Sequence, residues 1–174
     1  MLAIINSRAK LPTDQAAILR DFKTSYRTIF SVNPKTEKSA VQTYILHLAP
    51  ADTSGINVCA GAGNCKAICL HFAGNPVYMN AKQSARIRRT LAYVADPSRF
   101  MRLIVCAILD KLNKHEGEEL AFRLNGTSDL DFIYLLKKYA GLDPFSLSQL
   151  IYYDYTKILG KVKKYIDEPR YILT

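Results

Sequence analysis

The sequence lacks a long apolar run, a basic leader, internal repeats and low-complexity stretches. Its longest uninterrupted apolar run, Leu103–Leu109, has seven residues, whereas a membrane-spanning helix needs about 20. The opening Met1–Ile5 has no basic lead-in and turns polar at once, which is not the pattern of a secretory signal. We therefore expect no membrane partner and a cytoplasmic location, where thiols remain reduced.

The composition also excludes a disordered or fibrous chain, because apolar residues make up 49% and charged residues 22% of the 174 positions. This length corresponds to one domain. The net charge is +9, which makes nucleic acid a candidate partner, although a basic surplus bears on association and not on fold. The densest basic stretch is more typical of a solvated helix face than of a nucleic-acid groove; it comprises Lys82, Arg86, Arg88, Arg89, Arg99 and Arg102.

Hydrophobic periodicity predicts an N-terminal helix over Thr13–Phe30, so that residues 1–38 form a helix and linker. Residues 39–174 alternate strands and helices. The predicted strands are Val41–Leu48, Leu120–Leu124, Leu150–Tyr153 and Arg170–Leu173. The predicted helices are Val77–Tyr93, Pro97–His115, Asp131–Tyr139 and Ile158–Tyr165. This alternation predicts an α/β fold with a mainly parallel sheet of βα units, similar to part of a (β/α) barrel. The last strand would be an edge, so a second chain or an oligomer is expected to complete the fold.

Three polar segments follow the first three strands of this predicted sheet. They are the cysteine-containing loop after the first strand, Asn125–Asp129 after the second and Asp154–Lys157 after the third. Parallel strands deliver their C-terminal ends to one side of a sheet, where ligands bind. We therefore expect the three segments to converge on one site.

The loop after the first strand contains three cysteines, Cys59, Cys65 and Cys69, among small residues and glycines. Three reduced thiols on one loop are typical of a soft metal or an iron–sulfur cluster, and three ligands would leave one iron of a [4Fe–4S] cluster open. Zinc is the alternative, with His71 or His47 as the fourth ligand. Cys106, inside a predicted helix, is expected to be an ordinary packed cysteine.

The polar strand ends supply the other candidate site residues. Asn125, Asp129 and Lys157 are the candidate catalytic residues, because amide, carboxylate and ammonium groups can position a ligand. Candidate cofactor contacts are Gly126, Thr127, Ser128 and Asp154. Helix capping is the competing explanation for several of these residues, with Ser128 or Asp129 before one helix and Asp154 or Thr156 before the next.

Several motifs in order resemble a family of phage proteins named after gene product 88. The resemblance runs from about Asn33 to the end of the chain. Its motifs are Asn33-Pro-Lys-Thr36, Leu48-Ala-Pro-Ala51, Ser54-Gly-Ile-Asn57 before Cys59, Cys69-Leu70, Ala73-Gly74, Ala85-Arg-Ile-Arg88 with Thr90, Arg123–Asp129 and Tyr153–Lys157.

This resemblance implies a layout similar to radical S-adenosylmethionine enzymes, in which a three-cysteine loop follows the first strand of a β/α barrel. It thus implies a [4Fe–4S] cluster on Cys59, Cys65 and Cys69, S-adenosylmethionine or another small molecule on the open iron, and a host-cell cytoplasmic location. Cys59-x5-Cys65-x3-Cys69 is more widely spaced than in radical enzymes, and Ala60 replaces a proline common in the family. Family members usually continue beyond the position of Thr174, so we expect a shortened or split version.

Two functions therefore remain open. One is an iron–sulfur protein with radical S-adenosylmethionine-like redox chemistry. The other is a non-enzymatic module in which zinc stabilises a basic, nucleic-acid-binding domain. Steep salt dependence of binding would mark the second, because counterions are released from nucleic acid.

Overall fold

The computed structural model describes residues 24–32, 40–51, 53–66, 69 and 80–174. Five strands form one sheet: β1 (Phe30–Ser31), β2 (Gln42–Leu46), β3 (Leu120–Arg123), β4 (Leu150–Asp154) and β5 (Tyr171–Leu173). Within the described residues, four α-helices accompany it: α1 (Asn80–Ala95), α2 (Pro97–Lys114), α3 (Phe132–Ala140) and α4 (Leu159–Tyr165). Short 3-10 helices cover Gly63–Lys66 and Pro144–Ser146.

The strands follow one another across the sheet in chain order. β1 is antiparallel to β2, with Phe30 opposite Leu46, and β2 to β5 are parallel. Helices lie between the parallel strands along the chain: α1 and α2 after β2, α3 after β3, and α4 after β4. The prediction of an α/β fold with a mainly parallel sheet is confirmed, and every parallel strand points its C-terminal end to the same edge.

The N-terminal helix predicted over Thr13–Phe30 is wrong at its C-terminal end. Residues 26–28 form a turn, and Phe30 begins strand β1. Tertiary packing overrides the helical spacing here, because the Phe30 ring lies 5.1 Å from the Phe122 ring and Ile29 is fully buried. The remainder of the predicted helix, the linker after residue 32 and His71 lie outside the described residues.

The other elements match their predicted positions closely, because recognisable residues mark their ends. Helix α2 begins at Pro97, and the Asp96 carboxylate accepts a hydrogen bond from Arg99 N at 2.8 Å. Helix α3 ends at Gly141, which adopts a left-handed conformation with φ of 66°. The residue that caps the start of α3 is Asp131, and not Ser128 or Asp129. Over the described ranges, no helix has the length and apolarity needed to cross a bilayer.

The core lies between the sheet and the helices. One face of α2 is buried against it through Phe100, Met101, Ile104 and Ile108. The sheet contributes alternate side chains, as the two-residue period of a strand requires. Cys106 is buried in α2, as predicted. This packing leaves the C-terminal edge of the strands to the polar loops.

Candidate functional site

The three polar segments meet around one cavity of about 290 Å³ at the C-terminal edge of the sheet. The cysteine-containing loop contributes Ala51, Cys59, Ala62, Cys65, Lys66 and Cys69 to its lining. The segment after β3 contributes Arg123 and residues 125–129. The segment after β4 contributes Tyr155, Thr156 and Lys157, and Thr174 completes the lining. The predicted convergence is therefore confirmed for these loops.

The three cysteines of the loop all line this cavity, and all are free thiols. Cys65 is exposed, whereas Cys59 and Cys69 are partly buried. Burial raises the pKa of the Cys59 thiol, and the neighbouring Cys69, Asp129 and Cys65 raise it further, against a backbone hydrogen bond from Ala51 that lowers it. Among the described residues, no three His, Cys, Asp or Glu side chains form a group that could hold a metal ion.

Glycine allows the cysteine-containing loop to approach the segment after β4. A Cβ atom on Gly61 would lie 3.2 Å from Lys157 Cβ and 3.4 Å from its carbonyl carbon. Such spacing is tighter than ordinary van der Waals contact, so a larger residue would push the two segments apart. The small residues of the cysteine-containing loop thus allow close contact between loops.

Asn125 holds the shape of its own loop. It is 2% exposed, and its Oδ1 accepts hydrogen bonds from Ser128 Oγ and Leu130 N, both at 2.9 Å. Its Nδ2 donates to Leu130 O and to Asp154 Oδ2, again at 2.9 Å. The catalytic role of Asn125 stays a prediction, but its side-chain amide already has four partners, the full complement of an asparagine.

Asp154 is hydrogen-bonded to this loop and does not line the cavity. Its carboxylate accepts three hydrogen bonds: from Asn125 N at 2.8 Å, and from Asn125 Nδ2 and the Tyr171 hydroxyl at 2.9 Å. Burial raises the pKa of Asp154, while Lys161 and these donors lower it. Burial and the neighbouring carboxylate also raise the pKa of Tyr171, which keeps that hydroxyl as the donor. The geometry favours a structural role over the predicted cofactor contact.

Asp129 joins the segment after β3 to the segment after β4. Thr156 Oγ1 donates to both of its carboxylate oxygens, at 2.8 and 3.0 Å, and Lys157 N donates to Oδ2 at 2.8 Å. The buried ammonium of Lys161 lies 3.4 Å from Oδ1. The Lys157 side chain is exposed and borders the cavity. Of these two candidate catalytic residues, Lys157 is the one whose side chain is available to a ligand.

The other predicted cofactor contacts are tied to strand β2 and to Asn125. Gly126 N donates to Leu46 O at 2.9 Å, and a Cβ atom on Gly126 would lie 2.5 Å from His47 Nδ1. The Thr127 hydroxyl donates to Leu48 O. Gly126 therefore permits close approach of the protein's own imidazole, and all three residues, Gly126, Thr127 and Ser128, still border the cavity.

Arg123 is a functional candidate that the sequence reasoning did not select. Its guanidinium carbon lies 4.7 Å from the centre of the exposed Tyr155 ring, and its Nη2 donates to Gly126 O at 3.4 Å. Its Nε atom is buried without a hydrogen-bond partner among the described residues. Its position at the C-terminal end of β3, on the strand that leads into Asn125–Asp129, was the signal available in the sequence.

Two of the four basic residues of helix α1 are engaged with the rest of the protein. Arg89 donates to Thr28 O at 2.8 Å and to His47 O at 3.4 Å, and Arg86 is 8% exposed. Burial lowers the pKa of His47 to about 3, and four nearby cations contribute to this shift: Arg86, Arg123, Arg89 and Lys82. His47 is consequently a neutral imidazole at pH 7.

Comparison with known proteins places the chain in a family. Neither a curated protein nor a solved structure shows significant similarity to it. The family model for gene product 88 matches residues 21–172, which includes β1 to β4, the first two residues of β5 and all three cavity-lining segments. The match also begins before the motif at Asn33 from which the resemblance was traced. The chain belongs to the gene product 88 family.

Proposed function

We propose that this protein binds a [4Fe–4S] cluster through Cys59, Cys65 and Cys69 and a small molecule in the same cavity. One observation carries the proposal: three thiols and two polar loops border one cavity at the edge of the sheet where α/β proteins bind ligands.

The donor set agrees with this proposal in its chemistry. Thiolates are the ligands that iron–sulfur clusters use, and a bound metal deprotonates a thiol whose pKa burial has raised. The described arrangement is not a ready ligand set, because it contains no group of three donors able to hold a metal. Loading is therefore expected to draw together the loop that carries the cysteines, in which Cys65 is already exposed.

S-adenosylmethionine is the proposed small molecule, in keeping with the layout that the resemblance implies. When bound, such a cluster supplies the electron for reductive cleavage of this cofactor. The role of the chain is to orient the ligand. Lys157 and Arg123 border the cavity with charged groups, while Asn125 and Asp129 fix the loops on which the ligand would rest.

We also propose that the sheet represents part of a (β/α) barrel. Strands that follow one another in chain order with helices between them have the connectivity of such a barrel. The edge strand β5 exposes Ile172 by 57%, which supports a second chain or copy beside it. Light scattering of the purified protein tests this part, and a strictly monomeric chain at high concentration would contradict it.

Anaerobic reconstitution with iron and sulfide tests the main proposal. We expect about four irons and four sulfides per chain, with the broad visible absorption of a cluster. Cys65→Ser should lose most of this iron, because it removes one donor from an exposed position. Cys106→Ala is the matched control, since it removes a thiol that lies outside the cavity lining.

The outcomes separate the alternatives. A colourless protein without iron after reconstitution contradicts the cluster. About one zinc per chain without sulfide supports instead a zinc site. The zinc-stabilised nucleic-acid module is less well supported, because Arg89 bonds to backbone carbonyl groups and Arg86 is buried.

A further inference from the structure

We infer that Arg123 and Lys157 bind an anionic group, a phosphate or a carboxylate, of the small molecule that occupies the cavity. This inference shares its cavity with the proposed function, but it concerns the charge of the ligand and not the three thiols. The charged groups around the cavity differ in whether they already have partners, and this difference supports the inference.

The acidic side chain of the cavity already has hydrogen-bond and ion-pair partners. Among the described lining residues, Asp129 is the only one with an acidic side chain. Its two oxygens accept hydrogen bonds from Thr156 Oγ1 and Lys157 N, and the Lys161 ammonium balances its charge at 3.4 Å. Asp129 is also only 9% exposed. Asp129 is therefore not available to pair with a charged group of a ligand.

Arg123, in contrast to Asp129, has more hydrogen-bond donors than it has acceptors to bind them. Its buried Nε has no hydrogen-bond partner in the described part of the chain, and its one hydrogen bond is the long contact from Nη2 to Gly126 O. A buried donor without an acceptor costs free energy, so such an atom marks a position that a ligand or water completes. The planar guanidinium, held against the Tyr155 ring, matches the two oxygens of a carboxylate or phosphate.

Lys157 adds a second positive charge at the same cavity. Its backbone N–H makes the bond to Asp129, and within the described ranges its exposed ammonium has no acidic partner. Arg123 and Lys157, together with Lys66 in the same lining, thus border a cavity whose acidic side chain is already paired, which favours an anionic group at this position.

Isothermal titration calorimetry of the full chain at low salt tests the inference. The two probes are inorganic pyrophosphate and citrate, and the tighter one identifies phosphate or carboxylate as the preferred group. We expect one saturable site. Arg123→Gln and Lys157→Gln should each weaken binding about tenfold or more, the loss expected for one charge-assisted hydrogen bond. Arg123→Lys should recover only part of this loss, because it restores the charge without the planar fork.

Lys163→Gln is the matched control for Lys157→Gln. It removes the same charge from an exposed position of helix α4 that does not line the cavity. Affinity within about twofold of the original protein is expected for this control, since a distant exposed charge is screened by solvent. Equal weakening by both lysine variants would mean that only net charge is sensed, and this would overturn the inference. Absence of saturable binding for both probes would overturn it as well.

A triple variant distinguishes this inference from the proposed function. With Cys59, Cys65 and Cys69 all changed to serine, anion binding should persist even though no iron can be held. If iron loads normally into the original chain and neither probe binds, the proposed function stands and the anion site fails. If Arg123→Gln does not fold, Lys157→Gln alone decides, because its side chain is exposed and makes no packing contact in the core.

Discussion

Replacement of Asp154 tests whether buried polar bonds hold the loops of the cavity in place. In Asp154→Ala, three donors lose their acceptor at once: Asn125 N, Asn125 Nδ2 and the Tyr171 hydroxyl. An unsatisfied buried donor costs about 1–3 kcal/mol. The carboxylate itself is 3% exposed, so its removal also recovers part of its desolvation cost.

These opposing effects leave a net loss of about 3–5 kcal/mol in the free energy of unfolding, because three unsatisfied donors at about 1–3 kcal/mol each outweigh the recovered desolvation. That is a large share of the 5–15 kcal/mol typical of a domain. Asp154→Asn retains the size and one carbonyl oxygen but turns an amide N–H₂ towards other donors. We expect it to cost about half as much, because one acceptor is kept.

Urea unfolding followed by far-ultraviolet circular dichroism measures both variants, provided that the m-value stays constant. Tyr171→Phe is the internal comparison, because it deletes one donor together with its bond and should cost only about 1 kcal/mol. The reasoning is refuted if Asp154→Ala loses no more stability than Tyr171→Phe. That result would mean that water replaces the carboxylate without a penalty and that the network does not fix the loops.

Two further perturbations concern the region around His47. Gly126→Ala places a methyl group 2.5 Å from His47 Nδ1 and 2.7 Å from Ile45 Cγ2, so we expect a loss of about 1–3 kcal/mol by thermal melting. Gly160→Ala, in helix α4 with nothing within 4 Å, should instead gain up to about 1 kcal/mol; equal effects would contradict the close contact. Burial lowers the pKa of His47 to about 3, against about 6.5 in the unfolded chain, so the unfolded state binds more protons between these values. Stability is therefore complete above about pH 6.5 and falls as the pH drops towards 3, by about 2 kcal/mol between pH 7 and pH 5. Urea midpoints at these two pH values measure this loss, and an unchanged pH dependence in His47→Gln would disprove the assignment.

The sequence was most informative where local chemistry determines the structure. Pro97 and Gly141 mark the ends of helices, and their bounds were predicted within a residue or two because capping depends on near neighbours. The convergence of the cysteine-containing loop with Asn125–Asp129 followed from parallel topology alone. Both predictions rest on general rules, those of helix capping and of parallel sheets, which require no knowledge of contacts with distant residues.

The sequence was least informative where distant residues decide. Phe30 lies in a strand because it packs on Phe122, which comes far later in the chain, so its helical spacing misled the prediction. Asn125 was assigned to catalysis because its partner Asp154, 29 positions away, was not identifiable as a partner. The orphan Nε of Arg123 is likewise visible only from its surroundings.

The bonds of Asn125 and Asp129 have a consequence for how such a pocket can change over evolution. At positions where the side-chain polar atoms already hold the loops together, a substitution that suited a new ligand would also disrupt the loops that form the cavity. Tyr155 and Lys157 are exposed, and within the described chain their side-chain polar atoms make no hydrogen bond that holds these loops. Relatives that recognise different molecules should therefore vary at these two places while the framework around them stays the same, so that new specificity arises without rebuilding the architecture.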